Sequence, residues 1–242
     1  MTPHPQRTNR ASSSTVRGLR LPHIEILRIF TDPDGRWGTS LGVVDGTSII
    51  DPDERRSLAD RLSCETVFID DFEGARIQIA NHPAKSTFAE RSLIGAAWVL
   101  ARELGYQPRY LQTATEMIRT WNEEGVVWIR GPLASTPPWW HERLDTAVEI
   151  EALTAPLPPQ QDATQLWAWQ DEAAGIARAR AFATRFETME DEACGSASMR
   201  LAAVLGRRLT INHGEGSVIF AEPGPPGTAD IGGWVVSDGP LT

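Results

Sequence analysis

A short strand, a polar loop and a helix that ends on glycine occur twice in this chain. The first copy runs from the alternating segment ARIQIA, with Ile77 and Ile79 on one face, to a helix predicted over about 92–104 and ending at Gly105. The second runs from ARARAFA at 177–183 to a helix predicted over about 197–205 and ending at Gly206. The strand-to-helix offsets nearly match, Ala75 to Ser92 against Ala177 to Ser196, and the helices LIGAAWVLARELG and MRLAAVLGRRL look alike. A strand-loop-helix unit cannot bury its apolar face alone, so a duplicated one calls for a partner copy. The expectation is an α+β protein of two similar lobes.

Around this repeat the remaining segments fall into place. LPHIEILRIF alternates as a half-buried strand does, and Thr31 to Gly38 is a turn-rich break. Residues 41–44 and 48–50 read as short strands separated by the Asp45-Gly46 turn signal. DPDERRSLADRLS reads as a short helix capped by Asp51 or Asp53, and CETVFI as a β-branched and aromatic strand. The Gly, Pro, Ser and Thr of GPLASTPP mark a boundary near 131–138. This divides the chain into a flexible tail (1–20), an N-terminal lobe (21–131) and a C-terminal lobe (132–242). Six of the nine tryptophans lie between 121 and 169, where packing in the core or between lobes, or a stacking platform, would use them.

Composition removes several classes of function. With 23 Lys plus Arg against 32 Asp plus Glu, the net charge of −9 argues against a nucleic-acid duplex or an anionic membrane as partner. The apolar run at 94–101 is far short of the roughly 20 residues a bilayer span needs. The Arg-containing first twenty residues have no apolar segment that would make a secretory signal. Two cysteines, Cys64 and Cys194, form neither a disulfide framework nor a zinc spacing, and a reducing cytoplasm is the expected compartment. A P-loop, GxGxxG after a strand, GxSxG and HExxH are all missing, and the five histidines show no ligand spacing. No metal and no organic cofactor are expected.

The chemistry should sit where the two copies face each other with both helix N-termini directed inward, because unpaired N–H groups there attract carboxylates. In the second copy the loop EDEACGSA offers Asp191 as a carboxylate, Gly195 for close backbone approach and Ser196 as a cap or anion donor; a plain N-cap accounts for the same residues. Glu65 stands inside an apolar strand on the side of Val67 and Ile69. If buried there, desolvation would raise its pKa and suit it to take and return a proton; an edge-strand Glu facing solvent is the plainer alternative.

The ordered set RIFTDPDGRWG…LGVV, ETVF, FA…LIGAAWVL, DEAAGIARARAFA and EDEACGSASMRLAA resembles the PhzF-type phenazine-biosynthesis isomerase family, from about Leu21 to the end. GSVIFAEP and IGGWVV resemble its closing strands. The resemblance implies a diaminopimelate-epimerase-like fold, two pseudo-symmetric lobes each with a curved, mostly antiparallel sheet around a central helix. It also implies that Glu65 is the proton-shuttling glutamate, that Asp191 is the second acidic residue, and that Gly195 and Ser196 hold a substrate carboxylate. A homodimer is the assembly expected from the family's habit. Two motifs depart from the pattern. Glu90-Arg91-Ser92 stands where Gly-His-Pro is usual, and Gly38-Thr39-Ser40 where GNP is usual.

These replacements matter chemically. Arg91 cannot relay a proton as histidine does, but it can clamp a carboxylate bidentately. Glu90 places a negative charge where an anion should be received. Asn81-His82-Pro83 lies too early to supply the missing histidine. Ala193-Cys194-Gly195-Ser196 is similar to the second-lobe motif of the two-cysteine epimerases, in which a thiolate at a helix start would have a lowered pKa. The partner cysteine is replaced by Ala89, which speaks against a two-cysteine racemase. The expected activity is a cofactor-independent isomerisation of a small carboxylated metabolite, amino-acid-like or conjugated, in biosynthesis. The alternative is a PhzF-like module that binds ligands or proteins without catalysis.

Overall fold

A computed structural model describes residues 24–80, 88–154, 163–183 and 188–241. The tail at 1–20 and the segment Asn81-His82-Pro83 therefore lie outside the described residues. In chain order the elements are β1 (Ile24–Thr31), β2 (Thr39–Asp45), α1 (Pro52–Leu62), β3 (Glu65–Asp71), β4 (Arg76–Ala80), α2 (Glu90–Leu104), β5 (Tyr110–Gln112), β6 (Met117–Glu123) and β7 (Val126–Pro132). They continue with β8 (Trp140–Arg143), α3 (Ala147–Glu151), β9 (Thr164–Asp171), β10 (Ile176–Ala183), β11 (Thr188–Asp191), α4 (Gly195–Leu205), β12 (Leu209–His213), β13 (Ser217–Pro223) and β14 (Thr228–Pro240).

The repeat seen in the sequence is a repeat of topology. β2 and β3 pair in parallel, β3 and β4 antiparallel, β4 and β5 in parallel, and β5 and β6 antiparallel. β8, β9, β10, β12 and β13 pair in the same alternation. Parallel neighbours need a crossover, and each of these four parallel pairs is bridged by one of the four helices, α1, α2, α3 and α4. The architecture is the expected α+β one. β14 joins the two halves: its first part pairs with β7 and β13, and its last part pairs with β1. The C-terminal residues thus complete the sheet of the N-terminal half.

α2 buries Leu93, Ile94, Ala96, Ala97, Val99 and Leu100, more than one face, as a helix enclosed by a curved sheet must. Leu27, Ile29, Leu41, Val67 and Ile69 surround it, and the same continuous core reaches Met199 and Leu201 of α4 with Ile211 and Ile219. Both helices stop where expected, at Gly105 (φ 75°) and Gly206 (φ 64°), in the left-handed conformation that glycine adopts without strain. Asp51 caps α1, accepting from the Asp53 N–H. One expected strand is absent. Residues 46–48 form a single 3₁₀ turn because Asp45 accepts from both the N–H and the hydroxyl of Thr47, and Ser48 Oγ donates to the Asp45 carbonyl.

Of the clustered tryptophans, Trp128 and Trp167 are buried, Trp121 stacks on Trp128 at 5.9 Å, and Trp140 is exposed. No helix among the described residues is long and apolar enough to cross a membrane.

The start of α2 is set by packing across the sheet. A Cβ at Gly131 of β7 would lie 2.2 Å from Cζ of buried Phe88, which precedes α2 by two residues. Gly131→Ala is expected to cost about 1–3 kcal/mol by overpacking against a rigid ring, read as a lower urea midpoint. An unchanged midpoint would show that Phe88 does not anchor the helix.

Candidate functional site at the facing helix starts

Glu65 opens β3 in register with buried Leu41 of β2, so its side chain points inward with only 6% of its surface exposed. It does not sit in an apolar pocket. Its Oε1 accepts from the Ser92 backbone N–H at 3.1 Å and from Ser92 Oγ at 2.5 Å, so the carboxyl lies on the first turn of α2. The proline usual at this point in PhzF-type sequences would have neither donor. Replacing it with Ser92 is what ties Glu65 to the helix start.

Arg91 reaches from the same turn to both halves. Its guanidinium is 3.5 Å from Glu65 Oε2 and 3.6 Å from Asp191 Oδ1. Asp191 ends β11, and its Oδ1 also accepts from the Ala193 N–H at 3.1 Å. Burial works against the Arg91 charge, but Asp191, Glu65 and Glu90 in that order raise its pKa above the ordinary guanidinium value. Arg91 is a permanent cation among three carboxylates.

Glu90 reaches across to the other helix. Its Oε1 accepts from the Ser196 N–H at 3.0 Å, on the first turn of α4 in the other half. A Cβ at Gly195 would fall 2.5 Å from Glu90 Cγ, so glycine is required there for the approach of Glu90. The first turn of α2 therefore receives the carboxylate of Glu65, and that of α4 the carboxylate of Glu90. Ser196 Oγ accepts from Trp139 Nε1 at 3.0 Å. The N-cap of α4 is Cys194, with no side-chain cap bond.

The surroundings of Cys194 oppose the lowered pKa that a helix start alone would give. Burial first, then Asp191 and Glu90, push the thiol well above its ordinary value. Cys64, ahead of β3, is also pushed up, chiefly by burial. Gly38, in place of the usual GNP glycine, has φ 81° and a Cβ there would meet the Ile29 carbonyl oxygen at 2.6 Å. Its N–H donates to Ser217 Oγ at 3.0 Å, tying the two halves together.

Glu65, Arg91, Asp191, Cys194, Gly195 and Ser196 thus lie in one region. Two histidines belong to its surroundings that spacing could not reveal. His141 Nε2 is 2.9 Å from the Ala197 carbonyl oxygen, and His213 Nδ1 is 2.9 Å from that of Glu192. Neither has a sequence neighbour suggesting a site; only the pairing of β8 with β9 and of β12 with β10 brings them close. No group of three or more metal-ligating side chains occurs among the described residues.

No protein-family model matches the sequence. Solved structures do share the fold. A phenazine biosynthesis protein of the PhzF family from Enterococcus faecalis superposes with a TM-score of 0.69 at 14% identity, over 89% of this chain and 96% of that one. The Bacillus anthracis PhzF-family protein gives 0.64 at 16% identity, over 93% and 100%. A Pseudomonas aeruginosa structure described as a predicted epimerase gives 0.59 at 18% identity, over 92% and 100%. The chain has the fold of the PhzF-type and epimerase-like proteins.

Removing the bridging cation should be costly. Arg91→Met leaves Glu65 and Asp191 without their shared partner, with an expected loss of about 2–3 kcal/mol. That is below the value for a fully buried pair because Arg91 and Asp191 remain about one-fifth exposed. Urea unfolding measures it, and adding Glu65→Gln should restore part of the loss; strict additivity would argue against the bridge. A second outcome concerns pH. Burial is the main reason that His141 and His213 have lowered pKa values. In the unfolded chain they take up protons near pH 6.5, whereas in the folded protein they stay neutral to lower pH. Their contribution is thus complete above about pH 6.5 and is lost as pH falls below it. The drop in urea midpoint from about pH 7.5 to 5.5 should be smaller in His141→Gln.

Proposed function

We propose that this chain is a cofactor-independent isomerase that moves a proton on a small carboxylated, amino-acid-like or conjugated metabolite. The observation that carries this reading is the Arg91 guanidinium, which brings Glu65 of one half and Asp191 of the other to 3.5 and 3.6 Å. Both distances exceed the roughly 2.7–2.9 Å of a direct charge-assisted hydrogen bond, so the guanidinium fork can still take a substrate carboxylate.

Glu65 is the base. Its carboxylate removes a proton from a carbon next to the conjugated system, the electron pair delocalises, and the Glu65 carboxyl returns the proton to another carbon. No electrons leave the substrate. Arg91 stays protonated throughout and serves binding and charge stabilisation. Asp191 faces a substrate amino or hydroxyl group. Three carboxylates against one guanidinium favour a ligand that brings its own cationic amino group over one with two negative charges. Gly195, Ser196 and Cys194 form the wall of the cleft at α4.

A second reading, a ligand-binding module without catalysis, draws support from Glu90, whose carboxylate holds the Ser196 N–H at 3.0 Å where a substrate carboxylate would be received. Incubation in D₂O with carboxylated enamines and dienes separates the two. The isomerase incorporates solvent deuterium, and Glu65→Gln lowers the rate by a factor on the order of 10²–10⁴. Ligand-induced thermal stabilisation that depends on Arg91 without exchange on any candidate would establish the second reading instead.

A further inference from the structure

We infer that Nε2 of His213 is the acceptor for an N–H or O–H donor of the ligand, on the Asp191 side of the cleft. This rests on the reading of the cleft as a carboxylate-binding site and adds the group that recognises the substituent beside the carboxylate.

The placement follows from strand register. His213 of β12 is paired with Ala179 of β10, and Asp191 of β11 with Ala181 of β10. Register partners project from the same face of a sheet, so all four side chains share one. It is the inner face, where buried Ala181 packs with Cys194 and Ala197 at the start of α4. β9 pairs with the other edge of β10 at both Ala179 and Ala181, so His213 at the end of β12 and Asp191 at the end of β11 follow one another along a single edge of β10, on its inner face.

The ring is fixed as well as placed. Nδ1 lies 2.9 Å from the carbonyl oxygen of Glu192, an acceptor only, so Nδ1 carries the hydrogen and Nε2 the lone pair. His213 is fully buried, and Nε2 has no hydrogen-bond partner among the described residues. A buried acceptor in a polar site calls for a donor. The carboxylates around it serve as acceptors. Asp191 already takes the Ala193 N–H, and Glu192 takes the N–H groups of Glu215, Gly216 and Ser217 and the Ser217 hydroxyl.

The charged groups acting on the ring are Asp191 and Glu192, which favour protonation, and Arg178, which opposes it; burial outweighs them and keeps the imidazole neutral. A ligand with a carboxylate for Arg91 and an amino or hydroxyl group on the adjacent carbon satisfies both ends. That is an α-amino or α-hydroxy acid.

The test uses the full chain labelled with ¹⁵N-histidine and three probes of equal length: alanine, lactate and propionate. Long-range ¹H–¹⁵N correlation should show His213 in the free protein as the neutral Nδ1–H form. Alanine and lactate should move the Nε2 resonance, and propionate should leave it in place. His213→Asn retains an N–H for the Glu192 carbonyl but has no nitrogen at the Nε2 position. It should weaken alanine and lactate about tenfold, to the level of propionate, with an unchanged near-ultraviolet dichroism spectrum.

A protonated Nε2 in the free protein would overturn the assignment. So would an equal response to all three probes, no response to any, or retained discrimination in His213→Asn. Deuterium exchange that needs Glu65 but is accompanied by no such discrimination removes His213 and leaves the isomerase. Discrimination without exchange does the reverse.

Discussion

The guanidinium of Arg91 is the contact on which the candidate site depends. Glu65, Glu90 and Asp191 approach one another from two halves of the chain, and three carboxylates with no cation between them would repel strongly at low local dielectric. Arg91 lies 3.5 Å from Glu65 and 3.6 Å from Asp191, and Glu90 contributes to holding its charge. Because arginine keeps its proton at any ordinary pH, this neutralisation does not switch off. The facing helices add to it. The first-turn N–H of Ser92 in α2 meets Glu65 and that of Ser196 in α4 meets Glu90, so each helix start stabilises a carboxylate.

The scaffold delivers these groups through packing. Each half threads a helix through a curved sheet, and the helix start is then fixed by what surrounds it. Phe88 against Gly131 sets α2, and Gly195 against Glu90 sets the approach of α4. β14 pairs with strands of both halves, so the two halves share one continuous set of backbone hydrogen bonds. The geometry places the Arg91 guanidinium between the carboxylates of Glu65 and Asp191, with His213 beside Asp191 on the inner face of β10.

Much of this was legible in the residues. The duplicated strand-loop-helix unit, the inward Glu65 and the two glycine helix ends all rest on local periodicity and short-range chemistry, and the structure has them. The substitution of Gly-His-Pro by Glu90-Arg91-Ser92 also showed that the first-half site had changed. What could not be read was the direction of the change. Glu90 looked like a charge misplaced at its own helix, whereas its carboxylate crosses to α4. Ser92 looked like a lost proline, whereas its N–H and its hydroxyl each donate to Glu65. Cys194 looked like an activated thiol, whereas burial first, and then the carboxylates gathered around it, raise its pKa.

The sequence by itself determined three of the four helices, about half of the strands, the doubling of the unit and the residue types available for chemistry, because these depend on neighbours a few positions apart. Only the tertiary structure decided which charge meets which. Glu65 and Arg91 lie 26 positions apart, Glu90 and Ser196 106, and Arg91 and Asp191 100, so no periodicity links them. Their pairing follows from how two enclosed helices and one shared strand bring distant carboxylates to a common cation, and burial there makes each pairing count for far more than it would in water.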